Sequence, residues 1–330
     1  MTRVLVTGAA GFIGSHVATH ALAQGFEVVA TDDLSGGFRD NVPSGARFVQ
    51  GDLRDAAFVG ALFRDAGRFD FVYHLAAYAA EGLSHFIRRF NYQTNLVASV
   101  NLINEAVRTG VEVFVFTSSI AVYGAGQVPM TEATVPRPED PYGISKYAVE
   151  LDLRAAHETF GLDSIVFRPH NVYGERQNVA DPYRNVVGIF MNQLLAGQPM
   201  TIFGDGLQTR AFSYIDDVAP IITRSPLVPA ARNQVFNVGG DTPCSVLQLA
   251  QDVAAAFEAP CQVRHLPARN EVVHAFADHT KVKRTFVPPA AVELATGLGR
   301  MAAWAKARGR TPPAAFGDLE IDKNLPPSWR

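Results

Sequence analysis

A tyrosine and a lysine one helical turn apart could act together as a general base. Tyr142 and Lys146 stand in the segment PYGISKY, and a spacing of four residues brings two side chains onto one face of a helix. Lys146 is the first lysine of the chain and the next is Lys281, whereas arginine is used throughout. Lysine offers a compact ammonium whose pKa can shift, and arginine a planar fork that stays charged. The pair therefore predicts proton transfer, although an exposed tyrosine and lysine on an ordinary helix would have the same spacing.

Three glycines follow the first apolar segment of the chain. The segment GAAGFIG places Gly8, Gly11 and Gly14 between a predicted strand and a predicted helix. A tight turn there lets the backbone approach a pyrophosphate, and the N-terminus of the helix stabilises the negative charge. The spacing is GxxGxxG rather than GxGxxG, and its strand–turn–helix context predicts a phosphate-binding loop.

Acidic residues follow the second and third predicted strands. Asp32 and Asp33 stand where a carboxylate accepts ribose hydroxyls and repels a 2′-phosphate, which favours NAD over NADP. Asp52 follows the third strand and could bind the adenine amino group. Each aspartate alone has a less favoured alternative as a loop or helix-capping residue. Their order along the chain, together with the glycine loop, predicts dinucleotide binding.

Short apolar segments bounded by turn residues alternate with helical patterns. Nearly continuous apolar strands joined by helices are typical of a parallel sheet covered on both faces. The predicted strands are 3–8, 26–33, 46–53, 69–77, 111–119 and 163–171. The sequence therefore predicts an α/β fold with a Rossmann-type, doubly wound parallel sheet, whose strand ends carry the candidate site residues.

The alternation of strands and helices loosens after Asn171, where longer loops and pairs of prolines appear. We therefore predict a dinucleotide-binding domain over 1–171, to which 211–242 returns as a helix and a strand. A smaller C-terminal α/β region over 172–210 and 243–330 would bind the substrate.

Composition and charge exclude several classes of protein. The 330 residues are 48% hydrophobic, which is ample for a large core. The net charge of −3 and the lack of basic runs argue against a nucleic-acid partner. No apolar segment approaches the roughly 20 residues of a membrane span, and the N-terminus lacks a secretory pattern. Cys244 and Cys261 match no metal or redox spacing, so we expect a cytoplasmic protein without a metal.

Ten segments carry a resemblance that covers almost the whole chain. They are GAAGFIG, DDLSGG, GDL, HLAA, YQTN, TSSIAVYG, YGISK, FRPHNVYG, FGDGLQTRAF and FNVGG, in family order. With them the chain resembles the extended short-chain dehydrogenases/reductases, in their nucleotide-sugar epimerase and dehydratase branch. It is most similar to UDP-glucose and UDP-glucuronate 4-epimerases. The resemblance implies an NAD-dependent enzyme that acts on a UDP-sugar.

The resemblance implies that Ser119, Tyr142 and Lys146 are the catalytic residues. Ser119 would hydrogen-bond the reacting sugar hydroxyl, and Tyr142 would be the base that takes its proton at C4. Lys146 would bind the nicotinamide ribose and lower the pKa of Tyr142 from about 10 toward neutrality. Hydride returned to the other face of a 4-keto sugar would invert C4 and regenerate NAD.

The resemblance also implies a set of cofactor-binding residues, most of them at or near the turns that follow the strands. Besides Tyr142 and Lys146, they are Gly8, Gly11, Phe12, Ile13, Gly14, Asp32, Asp33, Asp52, Leu53, Leu75, Ala76, Ala77 and Asn95.

Two positions after Ser119 discriminate between branches of the family. Sugar 4,6-dehydratases place Asp and Glu immediately after the catalytic hydroxyl residue, and decarboxylating relatives keep a Glu two places after it. Here Ile120 and Ala121 stand at those positions and cannot transfer protons. Simple 4-epimerisation needs neither acid, so it is the predicted reaction. Glu81 is an alternative acid for eliminating water, although a loop carboxylate facing solvent would look the same.

At the substrate end, the resemblance assigns Asn171 and Arg210 to the diphosphate of the sugar nucleotide, a role that suits bidentate bonding by arginine. Arg176 and Arg269 are further phosphate or sugar candidates, and could equally be surface or structural ion-pair residues. His170 stands where relatives often carry an aromatic residue, and we assign it no catalytic role.

Three hypotheses about function remain. The first is an NAD-dependent nucleotide-sugar 4-epimerase acting on a UDP-hexose or UDP-hexuronic acid. The second is a dehydratase, a decarboxylase or an epimerase at another carbon, and the third is a non-catalytic dinucleotide sensor. Family members usually dimerise by packing two helices per subunit, here 95–109 and 143–160, so we expect a homodimer.

Overall fold

The structure is a computed structural model of the chain. It describes residues 1–126, 128–268, 273–310, 316–317 and 319–326. Within these ranges, no helix is both long enough and apolar enough to cross a membrane.

The β-strands of the described ranges fall into one large sheet and several small ones. They are β1 (Arg3–Thr7), β2 (Glu27–Asp32), β3 (Arg47–Gln50), β4 (Phe71–His74), β5 (Val113–Thr117), β6 (Asp163–Pro169), β7 (Val172–Tyr173), β8 (Met200–Phe203), β9 (Thr209–Ala211), β10 (Ser213–Tyr214), β11 (Gln234–Val238), β12 (Pro243–Ser245), β13 (Val263–Leu266) and β14 (His274–Ala275).

The α-helices mostly connect these strands. They are α1 (Phe12–Ala23), α2 (Ala56–Ala66), α3 (Glu81–Ser84), α4 (Arg88–Tyr92), α5 (Ala98–Thr109), α6 (Pro141–Phe160), α7 (Val186–Leu195), α8 (Ile215–Arg224), α9 (Val246–Ala256), α10 (Thr280–Phe286) and α11 (Leu294–Arg308). A π-helical turn (Gln93–Val97) and short 3₁₀ segments, among them Ile120–Tyr123, complete the described set.

The large sheet confirms the predicted fold class. Its strands lie in the order β11-β6-β5-β4-β1-β2-β3, and every neighbouring pair is parallel. The order reverses direction between β1 and β4, which is where doubly wound sheets bind ligands.

Alternate residues of the central strands pack into separate layers, as a sheet covered on both faces requires. On β5, Val113 and Val115 belong to one apolar cluster, whereas Phe114 and Phe116 belong to another. The first cluster also holds residues of α1 and α8, and the second holds residues of α2, α5 and α6. Both faces of the sheet are therefore closed by helices.

Each predicted strand is present, but β4 ends at His74 rather than at Ala77. The backbone N–H groups of Leu75 and Ala76 leave the sheet and donate to the Thr7 hydroxyl, each over 3.2 Å. The predicted helix that begins at Asn95 starts instead with the π-helical turn, and it ends at Gly110 in a left-handed conformation (φ +70°).

The segment 211–242 contributes a strand to the large sheet and a helix that packs beside it. Strand β11 pairs with β6, and α8 lies against α1. The remaining small sheets are β12-β9-β14, β13-β8 and β10-β7. This arrangement supports the division into two domains, which we retain as a proposal.

Candidate active site

A large cavity lies at the carboxyl ends of the central strands. Its volume is about 1690 Å³, which exceeds the roughly 300–1,000 Å³ of common small-molecule pockets and suits a dinucleotide plus a second ligand. The predicted site residues that line it include, in the described ranges, Gly8, Gly11, Phe12, Ile13, Gly14, Asp32, Asp33, Asp52, Leu53, Leu75, Ala76, Ala77, Ser119, Tyr142, Lys146, Asn171, Arg176 and Arg210.

The glycine loop packs closely against neighbouring backbone. Gly8 has a φ of +67°, and a Cβ there would lie 2.7 Å from the Ala76 nitrogen. A Cβ on Gly14 would lie 2.1 Å from the Gly8 carbonyl oxygen. Helix α1 begins after Gly11, which has no side chain to cap it, and its first residues line the cavity, where a helix N-terminus suits a negatively charged group.

The aspartates after β2 and β3 sit in different environments. Asp32 accepts backbone hydrogen bonds from Ala10 (3.0 Å) and Leu34 (2.8 Å), which fixes the glycine loop against the second strand. Burial raises the pKa of Asp32 despite these bonds. Asp52 forms an ion pair with Arg54, and the hydrogen bonds from that guanidinium lower its pKa. Both carboxylates remain part of the cavity lining.

Helix α6 presents Tyr142 and Lys146 from its first turns. Asp140 caps the helix by accepting from the Gly143 N–H over 2.9 Å, and Pro141 occupies a first-turn position where proline needs no partner. Tyr142 is 8% exposed and Lys146 is 3% exposed, so the pair is not the exposed one that the same spacing would allow.

Ser119 joins this pair from the end of β5. It stands at the start of the 3₁₀ segment, where its hydroxyl accepts from the Ala121 N–H over 3.1 Å. A hydrogen bond with the Ser119 side chain also acts to lower the pKa of the Tyr142 phenol. The structure therefore brings the three predicted catalytic side chains to one wall of the cavity.

Burial is the largest influence on the pKa values of Tyr142 and Lys146. It raises the pKa of Tyr142, which the hydrogen bond from Ser119 partly offsets, and it lowers the pKa of Lys146 to about 7. We expected the lysine to lower the pKa of the phenol. In the structure the Lys146 ammonium instead donates to the Thr117 carbonyl oxygen over 2.8 Å.

A buried ion pair behind this wall escaped the sequence analysis. Glu150 lies one turn after Lys146 on α6, accepts from the Ser118 hydroxyl at 2.5 Å and pairs with both Nε (2.9 Å) and an Nη of Arg168. The Arg168 guanidinium in turn lies 4.7 Å from the centre of the Tyr123 ring. The spacing of Lys146 and Glu150 was the available signal, since it places both on one helix face.

A second network of buried hydrogen bonds fixes the turn after β4. His74 contacts the Thr7 hydroxyl through Nδ1 (2.8 Å) and the Ser99 hydroxyl through Nε2 (2.8 Å). Thr7 already accepts from Leu75 and Ala76, and Ser99 donates to the Asn95 carbonyl oxygen. The directions of these bonds leave His74 neutral, with its proton on Nε2. Burial lowers its pKa to about 3, and the charge of Lys146 acts in the same direction.

Asn95 lies behind this turn, and among the described residues it is not part of the cavity lining. It is 1% exposed, and its amide contacts the backbone of Tyr78 on both sides (2.8 and 3.1 Å) and the Asn91 side chain. Any contribution to cofactor binding would therefore be indirect, through the loop that it holds.

The residues predicted to bind the substrate have different hydrogen-bond partners in the structure. Asn171 has a φ of +40° and donates to the Ala211 carbonyl oxygen, and Arg210 donates to the carbonyl oxygens of Thr209 and Val273. Arg176 lines the cavity, but its guanidinium bonds to α1 at the Ser15 carbonyl oxygen and the Thr19 hydroxyl. The predicted residue Arg269 lies outside the described residues.

The positions that discriminate between reactions also border the cavity. Ile120 and Ala121 line it beside Ser119, and neither can carry a proton. Glu81 lines it from the start of α3, and its charge raises the pKa of Tyr142. Within the described ranges, no cluster of three histidine, cysteine, aspartate or glutamate side chains could hold a metal ion.

The residues present fit a nicotinamide dinucleotide. Gly8 and Gly14 allow the loop to pack where a Cβ would clash with backbone, the first turn of α1 lines the cavity and suits a diphosphate, and Asp32 stands at the end of the second strand. A doubly wound sheet with this loop and a Ser–Tyr–Lys wall defines an enzyme that uses such a cofactor.

Comparisons with known proteins agree with that class. The sequence model of the NAD-dependent epimerase/dehydratase family matches residues 4–239, and the chain belongs to this family. NAD is its cofactor, as the sequence predicted.

Two kinds of relative support this membership. The UDP-glucose 4-epimerase of Mycolicibacterium smegmatis is 36% identical over 90% of this chain and 96% of its own. The crystal structure of UDP-glucose 4-epimerase from Thermotoga maritima with UDP-glucose aligns with a TM-score of 0.87 and 32% identity, over 93% of this chain and 99% of that one. The Thermus thermophilus UDP-glucose 4-epimerase in complex with NAD aligns with a TM-score of 0.84 and 32% identity, over 92% and 98%.

Proposed function

We propose that the protein is an NAD-dependent nucleotide-sugar 4-epimerase. Its substrate would be a UDP-hexose or UDP-hexuronic acid of the UDP-glucose or UDP-glucuronate type, and C4 would be inverted through a transient 4-keto intermediate. The observation that carries the proposal is the wall formed by Ser119, Tyr142 and Lys146, with Ile120 and Ala121 beside it. This wall offers one proton-transferring group for a hydroxyl and no carboxylate at the two positions used for elimination.

The reaction would begin with the sugar C4 hydroxyl between Ser119 and Tyr142. Ser119 would orient the hydroxyl, and Tyr142 would take its proton and later return it. NAD, when bound, supplies the acceptor and donor of the C4 hydride. Lys146, at the foot of the same helix face, would supply a positive charge beside the phenol once a ligand turns its ammonium away from Thr117.

Two different parts of the cavity lining would bind the cofactor and the substrate. The glycine loop, Asp32 and the turn at Leu75–Ala77 line the end of the cavity nearest α1, where the dinucleotide would bind. Asn171 and Arg210 line the far end, where the diphosphate of the UDP-sugar would bind.

A dehydratase is the second candidate, and Glu81 is the observation that favours it. This carboxylate is close enough to Tyr142 for its charge to raise the pKa of the phenol. An acid at this place could assist loss of water from the neighbouring carbons. A non-catalytic dinucleotide sensor is a third reading, which would not need all three of Ser119, Tyr142 and Lys146.

We also propose that the protein is a homodimer formed through the segments 95–109 and 143–160. These segments expose apolar side chains to solvent, namely Val97 (46%), Ile144 (39%) and Leu151 (37%). Sedimentation equilibrium tests this directly, and a monomer would contradict it.

The test of function is proton NMR of the purified protein with UDP-glucose, UDP-glucuronate or UDP-N-acetylglucosamine, in heavy water without added NAD. A new anomeric signal for the C4 epimer, with no deuterium in the sugar, supports the epimerase and identifies its sugar. A deuterated or keto product supports proton abstraction from carbon, as in elimination or in epimerisation at another carbon. No conversion of any UDP-sugar by protein that carries bound NAD supports the sensor.

A further inference from the structure

Two buried histidines from distant parts of the chain meet beside the cavity. His170 follows β6 and lines the cavity, and His279 directly precedes α10. Their Nε2 atoms lie 2.9 Å apart, their ring centroids are 5.0 Å apart, and the ring planes differ by 28°, so the rings meet edge to edge. His170 is 3% exposed and His279 is 2% exposed, so water does not separate them from their protein partners.

The outer nitrogen of each ring has a partner that can only accept a hydrogen bond. His170 Nδ1 lies 3.0 Å from the Ala211 carbonyl oxygen, and His279 Nδ1 lies 2.8 Å from a carboxylate oxygen of Asp241. Burial opposes ionisation of Asp241, but hydrogen bonds from Lys283 and His279 prevail and lower its pKa. Both Nδ1 atoms therefore carry a proton.

This arrangement fixes the number of protons on the pair. A neutral imidazole has one N–H, so two neutral rings with both Nδ1 atoms protonated would point two lone pairs at each other across 2.9 Å. A third proton between the Nε2 atoms turns that repulsion into a charge-assisted hydrogen bond. Three protons on four ring nitrogens give the pair a single positive charge.

The surrounding charges limit the pair to that single charge. Burial lowers the pKa of His279, and the charge of Lys283 acts in the same direction, although Asp241 and Asp278 favour protonation. Burial and the charge of His279 lower the pKa of His170 to about 4. A fourth proton is therefore excluded near neutrality, and the two rings titrate as one unit.

The pair is tied to the substrate end of the cavity through one carbonyl group. The Ala211 carbonyl oxygen accepts from His170 and also from the side chain of Asn171, over 3.2 Å. Ala211 directly follows Arg210 on β9. The Ser213 hydroxyl completes the contact by donating to the His170 carbonyl oxygen and accepting from the Gly240 N–H.

We propose that His170 and His279 share one proton and act as a positioning pair that holds Ala211 and Asn171 in place at the sugar-nucleotide end of the cavity. The ligand named here rests on the proposed function, but the shared proton does not. The pair holds its proton at low pH and loses it as the pH rises. One of its three hydrogen bonds must then break, and the hold on Asn171 loosens.

The shared proton is tested by nitrogen NMR of the full-length protein labelled with ¹⁵N-histidine. The variants His170→Asn and His279→Asn assign the signals. Because burial lowers the pKa of both rings, we expect three of the four ring nitrogens to be protonated at mildly acidic pH and two at higher pH. Two protonated nitrogens out of four at every pH at which the protein is folded would overturn the proposal.

The positioning role is tested by the side-chain amide signal of Asn171 and by UDP binding to the protein with its bound NAD. His170→Phe removes both hydrogen bonds of the ring, and we expect it to shift the Asn171 signal and to raise the Kd for UDP by up to about tenfold. His170→Asn keeps a donor near the Nδ1 position. It should retain most of the affinity for UDP but lose the weakening that the wild type shows as the pH rises.

His265→Asn is the matched control, because His265 is exposed and also contacts a carbonyl oxygen, that of Gly204. It should leave the Asn171 signal and UDP affinity unchanged. An Asn171 signal that is insensitive to pH and to His170→Phe would overturn the positioning role. Failure of the proposed function would look different, because the wild type would then not bind UDP while the proton count and the Asn171 signal would still report on the pair.

Discussion

The ammonium group of Lys146 donates a hydrogen bond of 2.8 Å to the carbonyl oxygen of Thr117. This contact joins the first turns of α6 to the end of β5, two residues before Ser119. It also explains why a lysine, rather than an arginine, stands at position 146. A compact ammonium fits between the Thr117 carbonyl group and the rings of Phe116 (4.8 Å) and Tyr142 (5.8 Å).

Lys146→Arg should lower kcat by about 100-fold while the protein stays folded. The planar guanidinium needs several acceptors, and its size would displace Tyr142 from Ser119. The measurement is steady-state epimerisation with NAD occupancy determined in parallel. Lys306→Arg, on the exposed side of α11, is the control and should retain full activity. Activity of Lys146→Arg equal to that of the control would show that the compact ammonium is not required.

Tyr142→Phe should reduce turnover by about 10²–10⁴-fold, the usual contribution of a general base. The ring packing is preserved, so bound NAD and thermal stability should be nearly unchanged. Single-turnover formation of the C4 epimer measures the effect. A variant that epimerises as fast as the wild type would remove Tyr142 from the mechanism.

Gly8→Ala should abolish NAD binding, because the new Cβ would lie 2.7 Å from the backbone nitrogen of Ala76. Gly25→Ala is the matched control, since Gly25 also has a positive φ (+79°) but nothing within 4 Å of the added atom. It should cost only about 1 kcal/mol of stability from backbone strain. NAD content and unfolding by urea distinguish the two, and equal NAD content in both would contradict the close approach.

Glu150→Gln should lower the free energy of unfolding by about 3–5 kcal/mol, because it leaves the Arg168 guanidinium charged and buried. The double variant Glu150→Leu with Arg168→Met should be less destabilised than Glu150→Gln, since it removes both charges. Urea unfolding of the three proteins measures the difference. A double variant less stable than the single one would mean that the ion pair itself stabilises the fold.

His74 should make the protein sensitive to acid. Its folded pKa is lowered to about 3, so the folded state excludes a proton that the unfolded state binds below about 6.5. Stability is therefore complete above that pH and is lost as the pH falls toward 3, by up to about 1.4 kcal/mol per pH unit. His74→Gln should be less stable at neutral pH but should show a flatter decline, measured by urea unfolding at several pH values. His265→Gln, an exposed control, should decline as the wild type does.

The sequence by itself determined the parallel sheet, the glycine loop and the Tyr142–Lys146 pair, because each depends on local spacing. Apolar segments of strand length, glycines at a strand–helix turn and two residues one helical turn apart have nearly the same geometry in any fold that contains them. The resemblance extended this to Ser119.

Only the tertiary structure decided which side chains are available to a ligand and which are already engaged. Arg176 was a phosphate candidate, yet its guanidinium is bonded to α1, and Asn95 holds a loop behind the cavity. His170 and His279 are far apart in the chain and meet only because β6 and α10 pack at one edge of the site. Hydrogen-bond partners and burial depend on contacts between distant segments, and the spacing of residues along a chain carries no record of them.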